Sequence, residues 1–254
     1  YQVYFAWLIL MSIDKTKAPR LNFDELLQQF CNGSVRKRKS LISSIEDFSE
    51  ELSLKGPALM QAFDPNSDNW SAGWILQVIQ RNQPNSIPSF LSSSPKGWFK
   101  TSSEMNIDYA PFQKSLLEEN FEEADRFTSS TLRKLAGNAA EERGYVYFSE
   151  VDEMSGIDLL TLDRLWIAYS QGKFGFSIQA RLLDASNGRY DRLWPRIGWK
   201  MDGIWTRYPS SFTWSLDAPE GHMPLINQLR GVRLMDAILN HPALLARREK
   251  RSAS

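Results

Sequence analysis

Apolar side chains recur every three or four residues along much of the first 80 residues, which is the spacing that places them on one face of an α-helix. Turn sequences at Asn32-Gly33, Gly56-Pro57 and Asp64-Pro65-Asn66 separate the apolar groups, so we expect a small antiparallel helical bundle. The groups are Phe23, Leu26, Leu27 and Phe30; then Leu41, Ile45, Phe48 and Leu52; and then Trp70, Trp74, Ile75, Val78 and Ile79.

The helical pattern stops over residues 81–110 and then returns. Three prolines and a serine run break the period there, and a fourth proline, Pro111, follows directly, which predicts a linker. Residues 111–137 again have helical spacing, as do residues 158–169, with Asp158 as the expected cap, and a last helix is expected over residues 225–239. The pattern predicts an all-α fold, with an N-terminal helical bundle at 11–80, a linker at 81–110, a mostly helical, loop-rich core domain at 111–242 and a charged tail at 243–254.

Two segments do not follow this pattern. Residues Lys173–Gln179 alternate apolar with polar or small side chains, as a short strand does, but Gly175 weakens a strand, so both interpretations stay open. The apolar run Val3–Leu10 is much shorter than the roughly 20 residues of a spanning helix, and no basic segment precedes it. We expect residues 1–10 to be a non-native or upstream leader with Met11 as the natural start; an extra helix or a membrane-touching segment is the alternative.

Composition narrows the class of protein. A hydrophobic content of 42% over 254 residues is ample for a buried core, so the chain is globular. Thirty basic residues balance thirty acidic ones, so no net charge attracts nucleic acid or an anionic membrane. A single cysteine, Cys31, excludes an internal disulfide, and two histidines provide no clustered ligands for zinc.

Several motifs in the second half of the chain occur together and in order in one known family. They are Asn120–Arg126, Leu132–Gly137, Asp158–Leu183, Gly198–Lys200, Arg207–Pro209, Phe212–Trp214, Ala218–Leu225, Asn227–Arg233 and Leu239–Pro242. In this order, over roughly residues 109–242, they resemble the Genomes Uncoupled Four family. The resemblance implies a nearly all-helical porphyrin-binding protein that stimulates magnesium chelatase, the enzyme that inserts magnesium into protoporphyrin IX on the way to chlorophyll.

The same resemblance implies ligands, a partner and a compartment. The ligands are protoporphyrin IX and magnesium protoporphyrin IX, and the partner is the magnesium chelatase H subunit, to which the protein delivers porphyrin or with which it exchanges it. We expect a non-catalytic monomer in the cytoplasm of a photosynthetic prokaryote, in part associated with the membrane periphery, or in the chloroplast stroma if the source is eukaryotic.

A porphyrin is a flat apolar disc with two propionates on one edge, so its site needs an apolar cup and cations at the rim. The resemblance places the pocket walls in the Trp205–Trp214 loop and the Leu225–Val232 turn. For any one aromatic residue, core packing is an equally favoured alternative. The predicted apolar contacts are Phe174, Phe176, Trp199, Trp205, Tyr208, Phe212, Trp214, Leu225 and Val232.

The predicted anion ligands are two arginines near the end of the chain. Arg230 and Arg233 are three residues apart, so they share a helix face and both reach one carboxylate edge. The alternative is that they pair with Asp236 or Glu220. Arg133 is the next candidate, for which surface solvation is an equal alternative.

The histidines do not suggest a metal site, and we predict none in the protein. His222 lies in a turn beside Gly221 and Pro224, where a hydrogen bond that stabilises the loop is favoured over a metal ligand. His241 ends a predicted helix, where an imidazole can cap carbonyl groups.

An enzyme is the rival class, because four acidic residues are close in sequence. Asp152 and Glu153 precede the helix, Asp158 is expected to cap it, and Asp163 is expected to face away from the apolar stripe. Capping and solvation explain these positions, so catalysis is not expected. A second rival is a protein interaction module without physiological pigment binding.

Overall fold

The computed structural model describes residues 22–91, 94, 96–226 and 232–252. Within these ranges the regular structure is helical apart from one short two-stranded hairpin, which confirms the all-α prediction. In the same part of the chain, no helix combines the length and the apolar character that crossing a membrane requires. The predicted leader at residues 1–10 lies outside the described residues.

The elements are numbered here in chain order. Helices α1 to α7 are Phe23–Asn32, Val35–Glu46, Ser49–Met60, Trp70–Asn82, Ile87–Leu91, Ala110–Leu117 and Phe121–Leu135. Helices α8 to α13 are Asn138–Arg143, Gly156–Tyr169, Phe176–Asp184, Tyr190–Arg196, Arg233–Leu239 and Pro242–Ser252. Single 3₁₀ turns lie at Pro84–Ser86 and Phe148–Glu150, and the strands are β1, Lys200–Met201, and β2, Ile204–Trp205.

Residues 22–48 form one compact unit made of α1 and α2. Helix α1 begins with a capping box in which the Asn22 side chain accepts from the Glu25 amide and the Glu25 carboxylate accepts from the Asn22 amide. Its predicted apolar face is confirmed as buried. The second predicted helix is wrong in extent, because α2 ends at Glu46 and a separate helix begins at Ser49.

The second compact unit comprises the described residues from 49 onward, and α9 lies at its centre. Helices α4, α6 and α13 pack against α9. The buried amide of Gln77 on α4 donates to the carbonyls of Leu116 and Tyr169, which joins three helices at one point. The apolar core of this second unit surrounds Trp166, whose indole nitrogen donates to the Thr128 hydroxyl at 3.0 Å.

Several element boundaries differ from those read in the sequence. The helix predicted over 111–137 is interrupted after Leu117 and restarts at Phe121, where the Asn120 side chain caps it. The ambiguous segment 173–179 is resolved as a loop that enters α10 at Phe176. Of the helix predicted over 225–239, Leu225 and Ile226 are not helical and α12 starts at Arg233.

The predicted linker at 81–110 and tail at 243–254 both contain ordered structure. The predicted linker contains α5 and the buried side chains of Phe90, Phe99 and Tyr109. The predicted tail contains most of α13. The domain boundaries themselves stay a prediction.

Two acidic residues of α9 occupy positions that the sequence analysis placed wrongly. The Ser155 side chain, not that of Asp158, caps the helix, and the buried Asp158 carboxylate accepts from the Tyr109 hydroxyl at 2.8 Å. Asp163 does not face solvent: it is 0% exposed, accepts from the amide and the hydroxyl of Ser177, and lies 2.9 Å from the Arg247 guanidinium. Both residues hold other segments against α9, which explains their burial.

Candidate ligand-binding cleft

A β-hairpin forms one wall of the candidate site. Its two-residue turn is Asp202-Gly203, where both residues have positive φ angles, 49° and 81°, as a hairpin turn of the primed type requires. The register pairs Met201 with Ile204, and both side chains are exposed, at 62% and 73%. The Asp-Gly pair was the signal for this hairpin in the sequence, but the adjacent strands are too short for alternation to reveal it.

A cleft of ≈ 620 Å³ opens beside this hairpin. Its volume is typical of small-molecule sites, which span roughly 300–1,000 Å³. Arg207 brings a positive charge to the cleft and Asp202 a negative one. The lining residues are Gly198, Met201, Asp202, Ile204, Trp205, Thr206, Arg207, Ser211, Thr213, Pro219 and His222.

Stacked indoles support the cleft from behind. The Trp205 ring lies 5.5 Å from that of Trp194, which in turn stacks on Trp199 at 5.5 Å and 10°. The buried Trp199 indole donates to the His222 carbonyl at 2.7 Å. The ammonium of Lys200 lies 5.2 Å from the Trp205 ring centroid, on the opposite face of the hairpin from the Met201–Ile204 pair.

Gly198 allows the Pro219–His222 turn to approach the start of the hairpin. Its φ is +73°, and a Cβ at this position would lie 3.1 Å from Pro219 Cγ and 3.2 Å from His222 Nδ1. Any side chain would therefore be strained and would push the turn away.

His222 stabilises the loops that line the cleft, which confirms the role predicted for it. Its Nδ1 lies 2.7 Å from the Ile197 carbonyl and its Nε2 accepts from the Thr213 amide at 3.3 Å, an arrangement that fits the neutral tautomer with the proton on Nδ1. Burial lowers the pKa of His222, although the bond to Ile197 opposes this effect. Because both nitrogens have partners, the ring is not positioned to ligate a metal.

A second aromatic group lies next to His222. The rings of Tyr208, Phe212 and Trp214 are 5.5 to 5.8 Å apart, and Phe212 lies 4.7 Å from the His222 ring. The Trp214 indole donates to the Pro209 carbonyl at 3.0 Å, which closes the loop on itself. Tyr208 remains 39% exposed. This group, called here the Tyr208 cluster, is therefore only partly enclosed.

Asp125 lies beneath this cluster, 1% exposed on α7. Its carboxylate accepts from the Leu225 amide at 2.6 Å. Burial raises the pKa of the Asp125 carboxyl to about 7, although the interactions with Leu225 and with the neighbouring Tyr208 hydroxyl lower it. Asp125 was not among the predicted site residues, and its signal in the sequence was its place in the motif Asn120–Arg126.

The model of the GUN4-like family matches residues 102–242, which include the whole cleft. The chain belongs to this GUN4-like family. It is 37% identical over 234 residues to the Ycf53-like protein of Synechocystis, a match that covers 87% of this chain and 96% of that one. It is 36% identical over 140 residues to the "Tetrapyrrole-binding protein, chloroplastic" of Arabidopsis thaliana, over 52% of this chain and 53% of that protein.

A solved structure agrees with this assignment. The GUN4 structure from Chlamydomonas reinhardtii is 40% identical to this chain, with a TM-score of 0.54, and the match covers 57% of this chain and 95% of that one. Relatives in a cyanobacterium and in a chloroplast fit a protein of a photosynthetic organism.

The residues predicted as apolar ligand contacts of this GUN4-like protein differ widely in exposure. Phe174, Phe176 and Trp199 are 0% exposed and Phe212 is 6% exposed, so they form core rather than cleft surface in this arrangement. Trp205 lines the cleft, Trp214 is half-buried beside Tyr208, Leu225 is half-buried and Val232 is 38% exposed. Their contact with a ligand stays a prediction.

The predicted cations are also dispersed. Arg230 lies outside the described residues, and the exposed Arg233 has its guanidinium 5.4 Å from the Phe148 ring centroid. Arg133 is half-buried and donates to the Ser129 hydroxyl at 2.9 Å. Arg207, which lines the cleft, was missed as a site residue although it stands beside Tyr208 in a quoted motif.

The acidic residues proposed as alternative partners of Arg230 and Arg233 have other contacts. Glu220 pairs with Arg181 at 2.5 Å, and Asp236 accepts from the Tyr190 hydroxyl at 3.0 Å. Among the described residues, no group of three or more His, Cys, Asp or Glu side chains is arranged to hold a metal ion.

Proposed function

We propose that this GUN4-like protein binds protoporphyrin IX and magnesium protoporphyrin IX in the cleft beside the β1–β2 hairpin. We further propose that it regulates magnesium chelatase without catalysing a reaction itself. The family membership and the name of the Arabidopsis relative support a tetrapyrrole-binding regulator. The observation that carries the choice of site is the pair of exposed apolar side chains, Met201 and Ile204, that line the cleft.

The residues of the cleft fit the chemistry of a porphyrin. Covering a few hundred Å² of an apolar disc contributes several kcal/mol at about 25 cal/mol per Å², before the costs of association. The exposed Met201 and Ile204 side chains supply that contact surface, and burying them against a ligand removes them from water. Arg207 offers a charge-assisted hydrogen bond to a propionate, together with the predicted ligands Arg230 and Arg233.

Magnesium in the porphyrin does not require a histidine from this cleft. His222 already uses both ring nitrogens, so its imidazole is not available without loss of two loop contacts. The pigment metal accepts a fifth ligand, for which a water molecule or a backbone carbonyl is sufficient.

A cleft that is open on one side allows pigment to be exchanged. We therefore propose that the protein delivers porphyrin to the magnesium chelatase H subunit or exchanges it there, and that it works as a monomer. Its compartment is then the cytoplasm of a photosynthetic prokaryote or the chloroplast stroma. The bundle at 11–80 supports or modulates the contact with the chelatase.

The experiment is a titration of residues 11–254 with protoporphyrin IX and its magnesium form, followed by tryptophan fluorescence quenching. We expect saturable one-site quenching, weakened about tenfold by Trp205→Ala and by the double change Arg230→Ala and Arg233→Ala. Arg36→Ala is the matched control, because it removes an exposed cation of α2 and leaves the cleft unchanged.

The alternative function predicts a different result. A protein interaction module without physiological pigment binding would show no saturable quenching, while the same wild-type chain would still be retained by the immobilised chelatase H subunit. Saturable quenching that none of the cleft variants changes would instead place the pigment elsewhere.

A further inference from the structure

A second cleft shares no lining residue with the cleft beside the β1–β2 hairpin, which is called the hairpin cleft below. Its volume is ≈ 500 Å³, again within the range typical of small-molecule sites. Helices α4, α5 and α6 and the segment 96–98 line it, together with Tyr169 at the end of α9. The family match begins at residue 102, so α4, α5 and the segment 96–98 precede it.

Buried amide side chains hold the walls of this second cleft in place. Gln77 joins α4 to α6 and α9 through two backbone carbonyls. Gln113, on α6, donates to the Phe99 carbonyl at 2.8 Å and accepts from the Phe99 amide at 3.2 Å. A Cβ at Gly97 would lie 2.5 Å from Gln113 Cδ, so the segment 96–98 passes close over this side chain. Walls that are fixed in advance reduce the ordering cost of binding.

The surface of this cleft is largely apolar and aromatic. Leu76 and Leu117 line it, and so does Trp98, whose ring lies 4.7 Å from that of Phe99. Trp98 is half-buried and also lines a neighbouring cleft of ≈ 470 Å³. Its indole is therefore not enclosed by packing as that of Trp166 is, and it offers a flat surface to a ligand.

The charged residues of this cleft balance one another. Lys96 Nζ lies 3.9 Å from an Asp108 carboxylate oxygen, and Lys114 Nζ lies 3.5 Å from a Glu118 carboxylate oxygen. All four residues line the cleft. Two cations are matched by two anions, so the local charge attracts neither an anionic nor a cationic ligand, and an uncharged one is favoured.

Two polar side chains of this cleft keep hydrogen-bonding capacity. In the part of the chain that the structure describes, neither the Gln80 amide nor the Trp98 indole nitrogen is bonded to another residue. The indole supplies a donor, and the amide supplies a donor and an acceptor. A ligand that covers these groups removes them from water, and a covered donor without a partner costs free energy. The ligand must therefore carry a hydrogen-bond acceptor.

We propose that this second cleft, called here the Trp98 cleft, binds a small, flat and uncharged molecule that carries a carbonyl group on an apolar body. Contact with Leu76, Leu117 and Trp98 supplies most of the affinity, and the Gln80 amide and the indole N–H orient the carbonyl group. The proposal does not rest on the proposed function, because no residue lines both clefts.

The test uses prodan, a flat uncharged naphthalene with one ketone, whose emission moves to shorter wavelength in apolar surroundings. We expect saturable one-site binding to the full chain, weakened about fivefold to tenfold by Gln80→Leu and by Trp98→Phe, which keeps a flat ring but removes the N–H. Ala110→Phe, at the half-buried start of α6, should fill the cleft and abolish binding. Gln83→Leu is the matched control, because Gln83 follows α4 and does not line the cleft.

Three further measurements locate the probe and define its class. The indole N–H resonance of Trp98, assigned among nine tryptophans by its loss in Trp98→Phe, should move when prodan is added, and that of Trp205 should not. The double change Met201→Ser and Ile204→Ser in the hairpin cleft should leave prodan affinity unchanged. The anionic probe 1-anilinonaphthalene-8-sulfonate should bind about tenfold more weakly than prodan.

Each contrary result would overturn the proposal in a different way. Prodan that does not bind saturably, or that Ala110→Phe leaves bound, would exclude the Trp98 cleft as the site. Prodan binding that is lost in the hairpin double variant would place the probe in the hairpin cleft instead. Tighter binding of the sulfonate would contradict the uncharged class of ligand. Failure of the proposed function is seen separately, as a protein that binds prodan but shows no saturable quenching by protoporphyrin IX.

Discussion

The aromatic residues around Trp166 and those of the Tyr208 cluster are similar in chemistry but differ in exposure and in what holds them. Trp166 is 0% exposed, and the rings of Phe112, Phe121 and Phe174 lie 5.9 to 6.3 Å from it. In the Tyr208 cluster the rings are at similar distances, yet Tyr208 is 39% exposed.

The difference comes from the elements that carry the rings. The Trp166 group is supplied mainly by α6, α7 and α9, so helix packing closes it on all sides. The Tyr208 cluster lies on a loop that is held by the hydrogen bond of the Trp214 indole to a backbone carbonyl. Aromatic content alone therefore does not identify a ligand site; a site is indicated where aromatic rings rest on polar anchors and remain partly exposed.

The largest expected effect on stability is that of a substitution at Trp166. Trp166→Ala should lower the free energy of unfolding by about 3–5 kcal/mol, because it leaves a large cavity and removes the indole that donates to the Thr128 hydroxyl. Trp205→Ala should cost about 1 kcal/mol, since its ring is already half-exposed. Urea unfolding measures both, and equal losses would mean that the cleft is part of the same rigid core.

The second effect is a dependence of stability on pH caused by Asp125. Its pKa is about 7 in the folded protein, against an ordinary aspartate value of 3.8, so the folded state binds more protons than the unfolded state between these pH values. The free energy of unfolding should therefore fall as the pH rises, by up to roughly 1.4 kcal/mol per pH unit in this window.

Urea unfolding of wild type and Asp125→Asn at pH 5, 6, 7 and 8 measures this slope, with Glu122→Gln as the control. The Asn variant should lack the contribution of Asp125, so the difference between the two proteins should change steadily from pH 5 to pH 7 in favour of the variant. A constant difference would show that Asp125 does not titrate in this range.

The smallest stability effect is expected for the exposed apolar wall. The double change Met201→Ser and Ile204→Ser should alter the free energy of unfolding by only about 0.5 kcal/mol, because these side chains are already in contact with water. It should nevertheless weaken protoporphyrin IX binding several-fold. Leu54→Ser is the matched control, since Leu54 is 82% exposed on α3 and does not line the cleft. Fluorescence titration that gave equal affinities for all three proteins would contradict the assignment of this wall.

The sequence predicted the helical character well and local positions less well. Spacing identified α1 and α4 because each has an apolar face built from residues close in sequence. It failed for Asp163, whose burial depends on Ser177 and on Arg247, which the chain brings near only through its tertiary structure. His241 was also misassigned: its Nδ1 accepts from the Ala243 amide at the start of α13, instead of capping carbonyls.

The candidate site, too, could be predicted from the sequence only in part. The loop Trp205–Trp214 was predicted as a pocket wall from the resemblance, and the structure places it beside the cleft. Trp199 could not be distinguished from Trp205 in the sequence, because both are tryptophans at the ends of short loop segments. Their difference arises from the stacking of Trp199 on Trp194 and from its bond to the His222 carbonyl, and the second of these contacts is not local in sequence.

The ion pair between Arg247 and Asp163 affects how this chain should be divided for expression. The family match ends at residue 242, which invites a fragment that stops there. Such a fragment would remove Arg247 and leave the fully buried Asp163 carboxylate without its cation, a change that costs up to about 3–5 kcal/mol. The smallest well-folded fragment of this protein should therefore retain α13, and a shorter one should express poorly whatever its pigment affinity.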